Sequence, residues 1–203
     1  LAAEHDLELV PVQHHRAHIA AATSAPCIGI AIDGVGYGDD GTVWGGEVFC
    51  GQVPDLRRVA HLEPVAMPGG DLATRYPDRM LYGILPNDEI LTLLASRGWP
   101  DADLGMLKKQ VSAGINVPET TSTGRVLDAA AALLGFCHER TYDGEPAMKL
   151  ESAAAGMVPE TWDLTFSTRN GCEMLSTGAL LKKVFLELRD PCADDLRRRR
   201  SLA

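Results

Sequence analysis

The chain of 203 residues, 45% hydrophobic and 23% charged, has the balance of a globular protein long enough to bury a core. Its formal charge of −9 argues against non-specific nucleic-acid binding as the main activity, and no apolar run reaches the roughly 18 residues of a membrane span. The five cysteines, Cys27, Cys50, Cys137, Cys172 and Cys192, form no CxxC pair, which excludes a zinc ribbon and fits a reducing, cytoplasmic setting better than a disulfide framework.

In chain order, "LELVPVQ" (7–13) reads as a short strand broken by Pro11, delivering His14 to a helix over "HRAHIAAATS", which has no breaker before Pro26. "CIGIAID", Cys27 to Asp33, is nearly all apolar, as expected of a strand buried on both faces. "GVGYGDDG" is a glycine-dense turn, and "TVWGGEVFCGQV" and "LRRVAHLEPV" continue as two strands in meander order. From "MPGGDLATRYPDRM" the pattern turns helical, with Asp71 as a cap and Pro77 splitting the first helix. Five more helices follow in "DEILTLLASRG", "DADLGMLKKQVSAG", "TTSTGRVLDAAAALLGFC", "EPAMKLESAAAGM" and "STGALLKKVFLELRD". The expected organisation is a β-rich part over 1–65, a mainly helical part over 66–190, and a disordered, solvated tail over 191–203 with the basic run Arg197 to Arg200.

Three of the six histidines fall at His14, His15 and His18. His14 and His18 are four apart, so on a helix they share one face and can reach one ion; His15 and His18, three apart, can do the same. Imidazole nitrogen suits a divalent transition metal, although a pair of surface or capping histidines would have the same spacing. A zincin is excluded, because His15 and Arg16 stand where HExxH needs its glutamate. Asp33 is the best further ligand, since α/β folds place functional groups at the ends of strands. Gly34, Gly36 and Gly38 let backbone N–H groups approach an anion there, or simply make a hairpin turn. Arg75, Arg79 and Arg125 can fork onto phosphate or carboxylate; Arg79 reads as an ion-pair residue, and Arg75 and Arg125 as substrate or structural anchors. His61 and His138 read as structural, and Cys27 and Cys50 as buried core.

Five blocks, "VQHHRAHIAAA", "IAIDGVGYGDDGTVWGGEVF", "RVAHLEPVAMPGGDLATRYPDRM", "TSTGRVLDAAAALLG" and "YDGEPAMKLE", together resemble the carbamoyltransferase family that matures nickel–iron hydrogenases (HypF). The resemblance implies part of that family's C-terminal transferase domain. It also implies α/β architecture: half of an actin-like/sugar-kinase ATPase fold, with a mixed β-sheet and a helical insertion. It implies chemistry in which carbamoyl phosphate and ATP give carbamoyl-adenylate, whose carbamoyl group passes to the C-terminal cysteine of a partner maturase, destined for the cyanide ligands of the hydrogenase. By the same resemblance His14, His18 and Asp33 match the family's protein ligands for a divalent metal ion, iron or zinc, and His15 matches a histidine that is not a ligand. A more distant likeness to the enzymes that place threonylcarbamoyl on tRNA points to Asp128, Gly144 and Glu145 as nucleotide-facing, beside Gly34 and Gly36.

The family's later "SGG" strand and "NDGG"-like turn, which carries a fourth ligand, do not follow Glu151. The chain therefore reads as truncated and inactive on its own. Two alternatives stand beside the transferase fragment: a noncatalytic remnant that keeps metal or partner binding, and a carbamoyltransferase acting on a small molecule. No cysteine of this chain is needed as a nucleophile, because the attacking sulfur belongs to the partner.

Overall fold

The computed structural model describes residues 2–158, 161–189 and 195–203, the side chains of 195–198 excepted. Residues 7–13 belong to no helix and join no sheet, so the expected first strand is absent. Leu7, Leu9, Val10 and Val12 are exposed there, because Pro11 removes a donor and no neighbouring strand covers them. The segment ends at Gln13, whose side chain accepts the Arg16 N–H at 3.1 Å and opens helix α1 (His14–Ala22).

Strand β1 (Cys27–Tyr37) turns back into β2 (Val43–Gly51), and β3 (Arg57–Leu62) follows antiparallel. The glycine-rich stretch expected as a turn belongs to β1 as far as Tyr37, with a bulge between Ile32 and Gly36. Nor is β1 buried on both faces: Ile28, Ile30 and Ile32 are 72%, 68% and 73% exposed, while Ala31 points into a small core with Trp44, Phe49 and Leu56. Alternation at period two separates these sets; α1 covers the inner one.

Short strands β4 (Val65–Ala66) and β5 (Glu119–Thr120) and the hairpin of β6 (Phe166–Arg169) and β7 (Cys172–Leu175) complete a seven-stranded mixed sheet. Strand β7 pairs parallel with β3, and β5 parallel with β2. The sheet therefore draws strands from the part expected to be mainly helical, and the boundary near residue 65 does not divide it.

The helices are α2 (Asp71–Arg75), α3 (Pro77–Ile84), α4 (Asp88–Ser96), α5 (Asp101–Ala113), α6 (Thr123–Leu133), α7 (Glu145–Ala154), α8 (Thr177–Leu188) and α9 (Asp195–Leu202). Pro77 splits α2 from α3 as the sequence predicts, sitting in the first turn of α3, where its missing N–H costs nothing. Asn87, Ser122 and Ser176 cap α4, α6 and α8. The main core lies among these helices and holds Met80, Leu81, Ile90, Leu94, Leu107, Leu133 and Leu181.

The expected disordered tail is instead helical over Asp195–Leu202. It is tied down by Arg199 donating to the Leu134 carbonyl (2.9 Å) and Arg200 to the Ala153 carbonyl (2.9 Å). Residues 191–194, Cys192 among them, lie outside the described residues. The other cysteines are free, and Cys27 and Cys50 are half-buried rather than fully enclosed. No described helix is long and apolar enough to cross a membrane.

Leu81 is fully buried in the main core and Leu7 is 66% exposed. Leu81→Ala is expected to lower unfolding stability by about 2–5 kcal/mol and Leu7→Ala by less than about 0.5 kcal/mol, as read from urea denaturation midpoints.

Candidate metal centre

The bulged part of β1 meets the mouth of α1. Asp33 sits at the bulge, and its Oδ1 accepts the Gly34 N–H at 2.6 Å. That bond turns Oδ2 toward the histidines: His14 Nε2 lies 2.9 Å from it and His15 Nε2 3.2 Å. Burial alone would push the Asp33 carboxyl up. The bonds from His14 and His15 and from the Gly34 and Val35 amides outweigh it and hold the carboxyl below its ordinary value.

His14, His15 and Asp33 each offer a ligand atom within 4.8 Å of the others. His18 stands one turn along α1, its ring 5.8 Å from that of His14 and edge-on to it. It lines, with His15, Ile19, Ala31 and Asp33, a cavity of about 570 Å³. The structure thus joins His14 to Asp33 directly, sets His18 on the same cavity, and brings His15, which the resemblance makes a non-ligand, closer to Asp33 than His18.

Imidazole nitrogen with carboxylate oxygen is a donor set that suits a divalent transition metal, and the backbone beneath the rings is open enough to bring these donors together. A Cβ on Gly36 would lie 2.4 Å from His15 Cε1 and 2.7 Å from His14 Cε1, so no larger residue lets both rings lie over β1. Gly36 therefore makes room for the two imidazoles. Gly34 serves the Asp33 side chain with its N–H and accepts the Ser122 hydroxyl at its carbonyl (2.7 Å).

Three supporting residues were not evident in the sequence. Ser122, the cap of α6, lies within hydrogen-bond reach of the Asp33 and Gly34 carbonyls (2.8 and 2.7 Å) and accepts the Arg125 N–H (3.3 Å). Glu47 is wholly buried; its Oε2 accepts the Gly45 and Gly46 amides at 2.7 and 2.8 Å, and its Oε1 accepts Arg58 Nη2 at 3.0 Å and the Thr121 hydroxyl. The Arg58 guanidinium lies 4.1 Å from the Trp44 ring centroid. Gln13 is the third, bonded to His15 and to the Tyr37 carbonyl. A glutamate inside "VWGGEVFC" was a visible signal; the other two roles depend on contacts the sequence does not display.

The remaining expected residues have internal partners. Arg125 and Asp128 are both buried and pair at 2.9 Å, while Arg125 Nε and Nη1 have no hydrogen-bond partner. Burial pushes the Asp128 carboxyl up to about 6 against the pull of Arg125 and Arg140. Gly144 opens α7 with φ at 80°, a left-handed value that suits glycine. Glu145 is held by Lys149 at 2.8 Å and by the Thr141 amide at 2.6 Å, and these, Lys149 first, draw its carboxyl down to about 2. Arg75 is exposed and pairs with Glu139 at 2.9 Å, away from the histidines. Arg79 donates to the Pro68 carbonyl at 2.8 Å and to Gln110 rather than to a carboxylate. His138 and His61 serve structural bonds, to Asp78 at 3.0 Å and to the Leu62 carbonyl at 2.8 Å.

Residues 29–200 match the family model described as carbamoyltransferase, Kae1-like domain, second subdomain. A protein of Methanocaldococcus jannaschii named probable carbamoyltransferase HypF is 46% identical over 156 residues, 72% of this chain and 20% of its own length. Carbamoyltransferase HypF of Rhodobacter capsulatus is 42% identical over 168 residues, 75% of this chain and 22% of its own. A crystal structure of full-length HypF in the phosphate- and nucleotide-bound form superposes with a TM-score of 0.85 at 29% identity, covering 97% of this chain and 26% of that one. T. kodakarensis HypF gives 0.82 at 38%, covering 99% and 28%. The chain spans about a fifth of the length of these two curated relatives.

Two measurements test the centre and its support. Gly36→Ala should abolish divalent-ion binding in elemental analysis while leaving the far-ultraviolet circular dichroism of the fold in place, because the added methyl displaces both rings. For Asp128 the folded state keeps a proton that the unfolded chain, with its carboxyl at 3.8, has already released. Stability contributed by this residue therefore falls as pH rises from about 4 to about 6, and Asp128→Asn should flatten that slope in denaturation midpoints taken across the range.

Proposed function

This chain belongs to the HypF carbamoyltransferase family, and from that membership we propose that it forms part of the transferase domain that moves a carbamoyl group from carbamoyl-adenylate to the C-terminal cysteine of a partner maturase. The intermediate would be made from carbamoyl phosphate and ATP by the rest of a longer protein, and the product would serve the cyanide ligands of a nickel–iron hydrogenase in the cytoplasm. The observation that carries this reading is the 2.9 Å approach of His14 to Asp33, whose carboxylate lines a cavity with His18. A relative solved with phosphate and nucleotide bound supports an adenylate as the ligand.

His14, His18 and Asp33 would hold a divalent ion, iron or zinc, which when bound would polarise a carbamoyl or phosphoryl oxygen. The chain's own residues set the stage for that. Gly34 and the histidines hold the Asp33 carboxylate ionised, and Ser122 fixes its backbone. Ile19, Ala22, Ala31 and the β1 isoleucines that line the cavity give it apolar walls, which thin the water that competes for the acyl group. The buried Arg125 keeps two unpaired N–H groups behind Gly34, and we assign it to the phosphate side of the adenylate; Asp128, Gly144 and Glu145 would line the nucleoside side once their internal bonds open. The partner's thiol attacks as a thiolate, forming the S–C bond as the C–O bond to AMP breaks and AMP leaves with the electron pair.

The test combines this chain with the missing domains in trans, synthetic carbamoyl-adenylate and a peptide ending in cysteine, read by mass spectrometry for the thiocarbamate. Wild type should bind about one divalent ion per chain and form product; His14→Ala and His18→Ala should do neither. Equal ion content in all three proteins, or product formation by both variants, would overturn the reading.

A further inference from the structure

The cap of α1 carries information about a proton. The Gln13 side-chain amide has one acceptor and one donor end, and two contacts settle which is which: Oε1 takes the Arg16 N–H at 3.1 Å, and Nε2 donates to the Tyr37 carbonyl at 3.2 Å. The second hydrogen on Nε2 faces His15 Nδ1, 3.2 Å away. An amide nitrogen only donates, so Nδ1 must present its lone pair. The imidazole proton then sits on Nε2, which lies 3.2 Å from Asp33 Oδ2. Glu47 does not compete for a proton on Nδ1. Its Oε2 is 3.6 Å from that nitrogen, and the Gly45 and Gly46 amides already occupy it.

We propose that Gln13 is a positioning residue that selects the Nε2–H tautomer of His15, making His15 a hydrogen-bond donor to Asp33 and not a metal ligand. A protonated Nε2 has no lone pair for an ion, so the nearness of His15 to His14 and Asp33 reflects orientation of the carboxylate. Asp33 is then gripped at both oxygens, by Gly34 at Oδ1 and by His15 at Oδ2, with His14 Nε2 also 2.9 Å from Oδ2. His15 is 2% exposed, and its Nδ1 faces the Gln13 amide at 3.2 Å. Outer-shell hydrogen bonds of this kind set ligand orientation, and their loss typically weakens metal binding about 10–100-fold.

The test is a long-range proton–nitrogen correlation spectrum of the imidazoles in the metal-free, nitrogen-15-labelled chain, on wild type, Gln13→Ser and Gln13→Glu. Serine still caps α1 but cannot reach His15; glutamate offers an acceptor where the amide offered a donor. Wild type should show His15 protonated at Nε2, Gln13→Ser a mixture of tautomers, and Gln13→Glu protonation at Nδ1. Wild type protonated at Nδ1, or one tautomer common to all three, overturns the assignment; the wild-type spectrum decides even if a variant fails to fold. A second arm, resting on the proposed metal reading, measures zinc affinity by chelator competition and should find both variants about tenfold weaker. Equal affinity in all three overturns the positioning role. A wild type that binds no zinc overturns the metal reading alone and leaves the tautomer assignment to the spectra.

Discussion

The Ser122 hydroxyl joins the two halves of this fold at the point where chemistry is proposed. One oxygen sits between the main-chain carbonyls of Asp33 and Gly34 and the Arg125 N–H in the first turn of α6. A hydroxyl has a single proton to give, so the two carbonyls share it, and the bulged strand cannot turn without uncapping the helix. Capping residues are each worth about 1 kcal/mol. Here the same atom also fixes the backbone of Asp33, so α6, the central helix of the main core, becomes the foundation of the β1 bulge.

Beneath that contact a line of charge runs from the wholly buried Glu47 to the exposed Asp40. Glu47, Arg58 and Asp40 run from the histidines to the far side of β2, with Arg58 bonded to both carboxylates and stacked on Trp44. Removing Arg58 from the buried Glu47 is the kind of change that typically costs about 3–5 kcal/mol, because the Glu47 charge is left in a dry interior. Glu47 has its four acceptor contacts filled by two amides, a guanidinium and a hydroxyl, which is what makes a wholly buried carboxylate tolerable. The polar layer also gives β2 a fixed register: a slip of one residue would turn Glu47 to the opposite face.

The parts of this arrangement differ in how openly the sequence shows them. His14 and His18 announce themselves by spacing, and Asp33 by ending an apolar strand. The helices after residue 70 follow from periodicity, caps and the Pro77 break. The exposed face of β1 did not, since an unbroken apolar run looks the same whether one side or both are covered. The β6–β7 hairpin had its signal in Asn170-Gly171, both with positive φ, as a tight two-residue turn requires, but its strands are too short and polar to stand out. Gln13 was invisible for a physical reason: glutamine is not among the favoured caps, and its value comes from Tyr37 and His15, which only folding brings near. Arg75, Asp128 and Glu145 lie in blocks shared with the family, yet each spends its charge on a neighbour, a pairing that no linear pattern reveals.

Gln13, His14, His15, Asp33, Gly36 and Glu47 all come from one stretch of 35 consecutive positions, 13–47, whereas Ser122 arrives far later in the chain. Short closures cost little entropy, and domains tend to form from the N-terminal side as the ribosome extends the polypeptide. The imidazoles and the carboxylate can therefore find one another while α6 is still inside the exit tunnel. What the later helix adds is a latch: the serine closes on the strand after the imidazoles and the carboxylate have met.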